Sequence, residues 1–186
     1  MYYLSFDIAL KSLAYTLLYM GNNPNDLSSF RVLDWNVVDL CPDFKKSELN
    51  TIEKIRKTKK FIINKIIPLI TPLKDIEILL EYQMQSTTNI IYVVIATLLS
   101  DYIIHDIKPI MKNKIEYNDA KCKIDYHLKK YSNNYSANKQ HSVECMMYIV
   151  NLFELKLPKI SHKRYNDLAD SFNQIIAYRQ YLHIKP

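Results

Sequence analysis

Residues 2–18, YYLSFDIALKSLAYTLL, constrain the fold more than any other stretch. Leu4, Phe6 and Ile8 alternate with Tyr3, Ser5 and Asp7, the period of two that a strand imposes on its two faces. A second run, 12–18, is closed by Gly21, Asn22, Asn23 and Pro24, which favour a loop. The chain therefore opens with two strands and a short turn. Asp7 falls near the end of the first strand. A carboxylate on a central strand is costly to bury unless something pairs with it. Asp7 either caps the following turn or belongs to a site, and this stretch leaves both readings open.

Composition narrows the functional classes. Gly21 is the only glycine, which excludes Walker-type phosphate loops and GxGxxG dinucleotide motifs. With 186 residues and 48% hydrophobic content, the chain is expected to form one domain over 1–186 rather than a disordered segment. A net charge of +6 suits a polyanionic partner. Three widely spaced cysteines, Cys41, Cys122 and Cys145, form no CxxC pattern and point to a reducing, intracellular compartment. No basic region followed by an apolar stretch marks a signal peptide. The most apolar run, 90–99, is too short to span a bilayer, so no membrane partner is expected.

The remaining elements follow in order. Residues 30–40 read as a third strand. Residues 47–70 read as a long helix capped by Ser47, with Pro68 and Pro72 marking its end or a kink. Lys57 and Lys60 belong to its basic outer face, which reads either as a phosphate-binding surface or as an ordinary solvated face. Residues 76–82 form a nearly continuous apolar run, suited to a strand covered on both faces, with Glu81 near its end. Ser86, Thr87 or Thr88 caps a helix over 89–102, and a fifth strand is expected over 103–109. The polar, Tyr- and Lys-rich stretch 113–138 reads as an insertion or long loop. Two more helices follow, over 139–155 and 162–182. Strands first and alternating elements later fit an α/β fold, a mixed sheet with helices on both faces.

Asp167 and Asp170 share one face of the last helix, because residues three apart are neighbours there. They read either as first-turn acids complementing the helix dipole or as half of a site. Asp7 and Glu81 would supply the other half if their strands are adjacent. Four converging carboxylates would repel one another without a cation. Hard divalent ions such as Mg²⁺ take oxygen ligands, and a pair of them activates water for phosphodiester cleavage.

These residues carry a resemblance. SFDIALKSLAY with Asp7, LLEYQ with Glu81, and NDLADSFNQ with Asp167 and Asp170 resemble, in order, the motifs of RuvC-like Holliday junction resolvases, above all their poxvirus branch. ANKQHSVECMM is similar to a helix start of the bacterial enzymes and places Lys139; KPIMKNK places Lys112, with Lys114, Lys121 and Lys123 as rivals. The resemblance implies an RNase H-like five-stranded sheet and a homodimer cutting four-way DNA junctions. It implies Asp7, Glu81, Asp167 and Asp170 around two Mg²⁺ ions, with Mn²⁺ as a possible substitute. Lys112 would serve catalysis and Lys139 would hold DNA. A viral member would act in the cytoplasm of its host cell. Ala9 stands where the family usually has glycine, and Ser12 where it often has asparagine. Two alternatives stay open: another RNase H-like nuclease, cutting flaps or RNA–DNA hybrids, and an inactive DNA-binding relative.

Overall fold

The computed structural model describes residues 1–21, 30–44, 50–81, 86–106 and 135–184. Strands β1 (Tyr2–Asp7), β2 (Leu13–Tyr19), β3 (Arg31–Val38) and β4 (Ile76–Leu80) form one sheet in the order β3-β2-β1-β4. β1 is central. It runs antiparallel to β2 and parallel to β4, while β2 and β3 are antiparallel with an irregularity at Leu17/Leu18.

Alternation along the strands divides the core in two. Leu4, Phe6, Leu13, Tyr15, Leu17, Ile78 and Leu80 face one layer. That layer comprises α1 (Thr51–Phe61), its continuation through Ile62–Ile66 and α2 (Ile67–Ile70), and α3 (Ser86–Asp106). Ile62, Ile66 and Ile70 recur every four residues, as do Ile91, Ile95 and Leu99, and each of the six is buried. Tyr3, Ala14, Leu18, Trp35, Val37 and Leu79 face the other layer, made by α4 (Tyr135–Leu152) and α5 (Tyr165–Ile184). Phe172 at its centre packs against Trp35 and Phe30.

Several sequence expectations change here. The structure has four strands among the described residues, not five. Ile103–Asp106, expected to begin a strand, continue α3 without a break. A short apolar run suits a buried helix as well as a strand, and no Gly or Pro interrupts the helix before it. Residues 107–109 lie outside the described residues. So does 113–134 of the expected insertion; its last residues, 135–138, already belong to α4. Asn50, not Ser47, caps α1, its side chain accepting a hydrogen bond from the Glu53 amide at 2.9 Å. Ser47 itself lies outside the described residues.

Pro68 neither ends nor breaks the helix. A wide π-turn over Ile62–Ile66 precedes it, with the Ile67 amide bonded to the Ile62 carbonyl. Proline's ring crowds the carbonyl four residues back, and a widened turn relieves that crowding. Among the described residues, no helix is long and apolar enough to cross a membrane.

Candidate functional site

The parallel β1–β4 ladder decides where the first two acids stand. Its last pair is Phe6 with Leu80. One further step sets Asp7 beside position 81, where both strands end. Tyr3 and Leu79 face the α4–α5 layer, and the alternation carries Asp7 and Glu81 to the same side. Both are half-buried.

Helix α5 lies across that side. Its Gln174 carboxamide oxygen accepts from Ser5 on β1 at 2.8 Å, and its Ser171 hydroxyl bonds Thr16 on β2, also at 2.8 Å. One turn towards the helix start, the Asp167 carboxylate bonds Ser12 in the β1–β2 turn. Ser12 follows β1 at the Asp7 end of the sheet, so α5 delivers its two acids to the end where Asp7 and Glu81 stand. The Ser5–Thr16 pair on the sheet fixes the crossing.

Burial is the largest influence on Asp167 and pushes its carboxyl above the usual range; the neighbouring Asp170 charge adds to this. Lys139, the Ser12 hydroxyl and Arg164 pull the other way. Asp170 is held differently. Ser142 of α4 donates to its Oδ1 at 2.9 Å, and the Asn173 amide nitrogen donates to both the carbonyl and the hydroxyl of Ser142, each at 2.9 Å. Asn173 is itself 4% exposed. A chain of donors therefore runs from the helix interior through Ser142 to the Asp170 carboxylate.

The expected residues are thus only partly gathered. Asp7, Glu81, Asp167, Asp170 and Lys139 occupy one end and one side of the sheet. Among the described residues, however, no three His, Cys, Asp or Glu side chains form a group that could hold a metal ion as placed. Lys57 and Lys60 stand elsewhere, on α1 in the opposite layer. Lys57 packs over the Phe44 ring, 5.6 Å from its centroid, and Lys60 is exposed. Lys112 lies outside the described residues.

Sequence reasoning missed Ser142 and Asn173, and noted Ser12 only as a departure from the resolvase motif. Asn173 had one visible signal: like Ser171, it is a polar residue set among the apolar positions Leu168, Phe172, Ile175 and Ile176. Ala9 needs no left-handed backbone, because the described non-glycine residues with positive φ are Asp75 (58°) and Glu154 (51°). Its substitution for glycine therefore imposes no strain of that kind.

A family model described as "Poxvirus A22 protein" matches residues 1–182. No curated protein matches the chain. Among solved structures, RuvC of T. thermophilus in complex with a Holliday junction substrate is 11% identical, covering 100% of this chain and 96% of that one, with a TM-score of 0.47.

Proposed function

The chain belongs to the poxvirus A22 family, a family of Holliday junction resolvases, and from that membership we propose that it cleaves four-way DNA junctions as a divalent-metal-dependent endonuclease. The observation that supports this most directly is the β1–β4 register, which sets Asp7 beside Glu81 on the side where α5 lays down Asp167 and Asp170. The donor set is all oxygen and partly desolvated, which suits a hard cation such as Mg²⁺. Asp7, Glu81, Asp167 and Asp170 would hold two such ions by closing in from a placement in which no three of them form a metal-holding group. When bound, the ions supply an activated water and charge neutralisation at the leaving oxygen.

The chain's own groups do the rest. Ser12 and Ser142 aim the two carboxylates of α5. Lys139 brings positive charge beside Asp167 and draws a DNA phosphate to the same end of the sheet. Lys112 is the further lysine assigned to catalysis. Two copies of the chain, one on each of two symmetric strands, match the symmetry of a four-way junction. Cleavage takes place in the host cytoplasm.

The test is cleavage of a synthetic four-way junction in Mg²⁺ by wild type, Asp7→Asn, Glu81→Gln and Asp170→Asn, with flap and RNA–DNA hybrid substrates beside it. We expect wild type to favour the junction and the three variants to be inactive while still folded. Undiminished cutting by the variants overturns the site; faster cutting of flaps or hybrids overturns the substrate.

A further inference from the structure

An open cavity of about 470 Å³ adjoins the acids, between the first turns of α4, the 3₁₀ turn His162–Arg164 and the start of α5. Its size falls within the roughly 300–1,000 Å³ of small-ligand sites. Two aromatic rings line it. His162 and Tyr165 meet edge to face, with centroids 4.9 Å apart and planes at 70°, which fixes one ring against the other. The amides of Gln140 and Asn166 are also on the wall, each side chain carrying both a donor and an acceptor. Glu144 at the rim accepts from Gln140 at 3.0 Å and from His141 at 3.2 Å, so neighbouring donors already engage its charge. Lys139 lines the cavity and acts electrostatically on Asp167 as well. Asn166 immediately precedes Asp167. The cavity is therefore one residue away from the acids along α5, with a lysine shared between them.

Resting on the nuclease reading above, we infer that this cavity receives the nucleotide next to the scissile phosphate, its base stacked on the Tyr165 ring with His162, set at 70° to that ring, closing one side, and its phosphate drawn to Lys139. Base–aromatic stacking tolerates any base, because each has a π-face. The Gln140 and Asn166 amides then grade the bases by their hydrogen-bonding edges. A four-way junction can supply the base, since unpairing costs least where the duplex is already interrupted.

The experiment places 2-aminopurine, a base whose fluorescence is quenched by stacking, at successive positions within two nucleotides of the crossover. Each junction is titrated with full-length protein in the absence of divalent cations, so the signal needs no cleavage. Wild type is expected to quench the probe at one position and to bind that junction roughly tenfold more tightly than its abasic counterpart. Tyr165→Phe should keep both effects, and Tyr165→Ala should lose both. His162→Ala, at an exposed position that carries no core packing, should reduce the quench in part. No responsive position, or the same quench in wild type, Tyr165→Ala and His162→Ala, overturns the assignment. Failure of the nuclease reading appears separately, as a junction left uncut when Mg²⁺ is added back.

Discussion

Asp167 and Asp170 sit three residues apart on one helix, yet their surroundings differ. Asp167 is the desolvated one, balanced by Ser12, Lys139 and Arg164. Asp170 is aimed by a serine that is itself aimed by a buried asparagine. These differences predict different phenotypes. In Asp167→Asn the amide oxygen can still accept from Ser12 and the costly charge is gone. Without metal, thermal denaturation should show this variant melting no lower than wild type, while junction cleavage is lost. A melting point several degrees lower would mean the carboxylate stabilises the apo fold. Ser142→Ala removes the donor to Asp170 but leaves the backbone carbonyl that Asn173 also bonds. Residues that orient metal ligands are typically worth about 10- to 100-fold in activity or metal affinity. Steady-state cleavage by Ser142→Ala should fall within that range, and excess Mg²⁺ should recover part of it. Wild-type rates would show that Asp170 needs no aiming.

The elements show where local signals decide structure. Helix α1 begins at Asn50 because its side chain satisfies the Glu53 amide, a free donor of the first turn. Asn50→Ala should destabilise the protein by about 1 kcal/mol in urea denaturation and leave junction cleavage unchanged. α1 belongs to the layer opposite the acids, so an equal loss of activity would contradict that placement. The same layer shows how local signals mislead. Residues 103–106 are apolar enough for a strand, but α3 runs through them, its buried Ile91–Ile95–Leu99 row packed into the core it shares with α1 and the sheet. The basic face of α1 was legible as a charge pattern. Its side of the molecule was not, because helical periodicity says which face is buried and not against which side of a sheet.

At the scale of the whole molecule, the end of the β1–β4 pair away from the acids is closed by a buried polar group. Glu77, 7% exposed, hydrogen-bonds Tyr178, and Arg179 donates to the Tyr3 hydroxyl at 3.3 Å. Burial, with Glu77 adding to it, holds the Tyr3 and Tyr178 phenols protonated beyond their usual range; burial and Asp34 do the same for Tyr15. An acid whose native pKa is raised keeps its proton when the unfolded chain has lost it. Stability is therefore intact below the unfolded phenol value of about 10 and falls as pH rises past it. Equilibrium unfolding should show a midpoint dropping steeply above about pH 10, and Tyr178→Phe should blunt the slope. A flat profile there would mean these phenols ionise freely. With a net charge of +6, junction affinity should also fall linearly on a log–log plot against salt.

The places of these four strands along the chain, the two faces of β1 and the pairing of Asp167 with Asp170 follow from the sequence alone, because periods of two and of three to four are imposed by local backbone geometry. That Asp7 stands beside position 81 does not follow from it. The offset of seventy-four residues is fixed by the parallel register Phe6–Leu80, and such a register is set by contacts between segments, not within them. Nor could the chain on its own show that Ser12 and Ser142 hold the α5 acids, or that a tyrosine, a histidine and two amides line one cavity beside them. Those groups are brought together by α4 packing on α5, through Ser142 and Asn173, and by α5 crossing β1 and β2, held by Ser5–Gln174 and Thr16–Ser171, and both contacts exist only once the layers are packed.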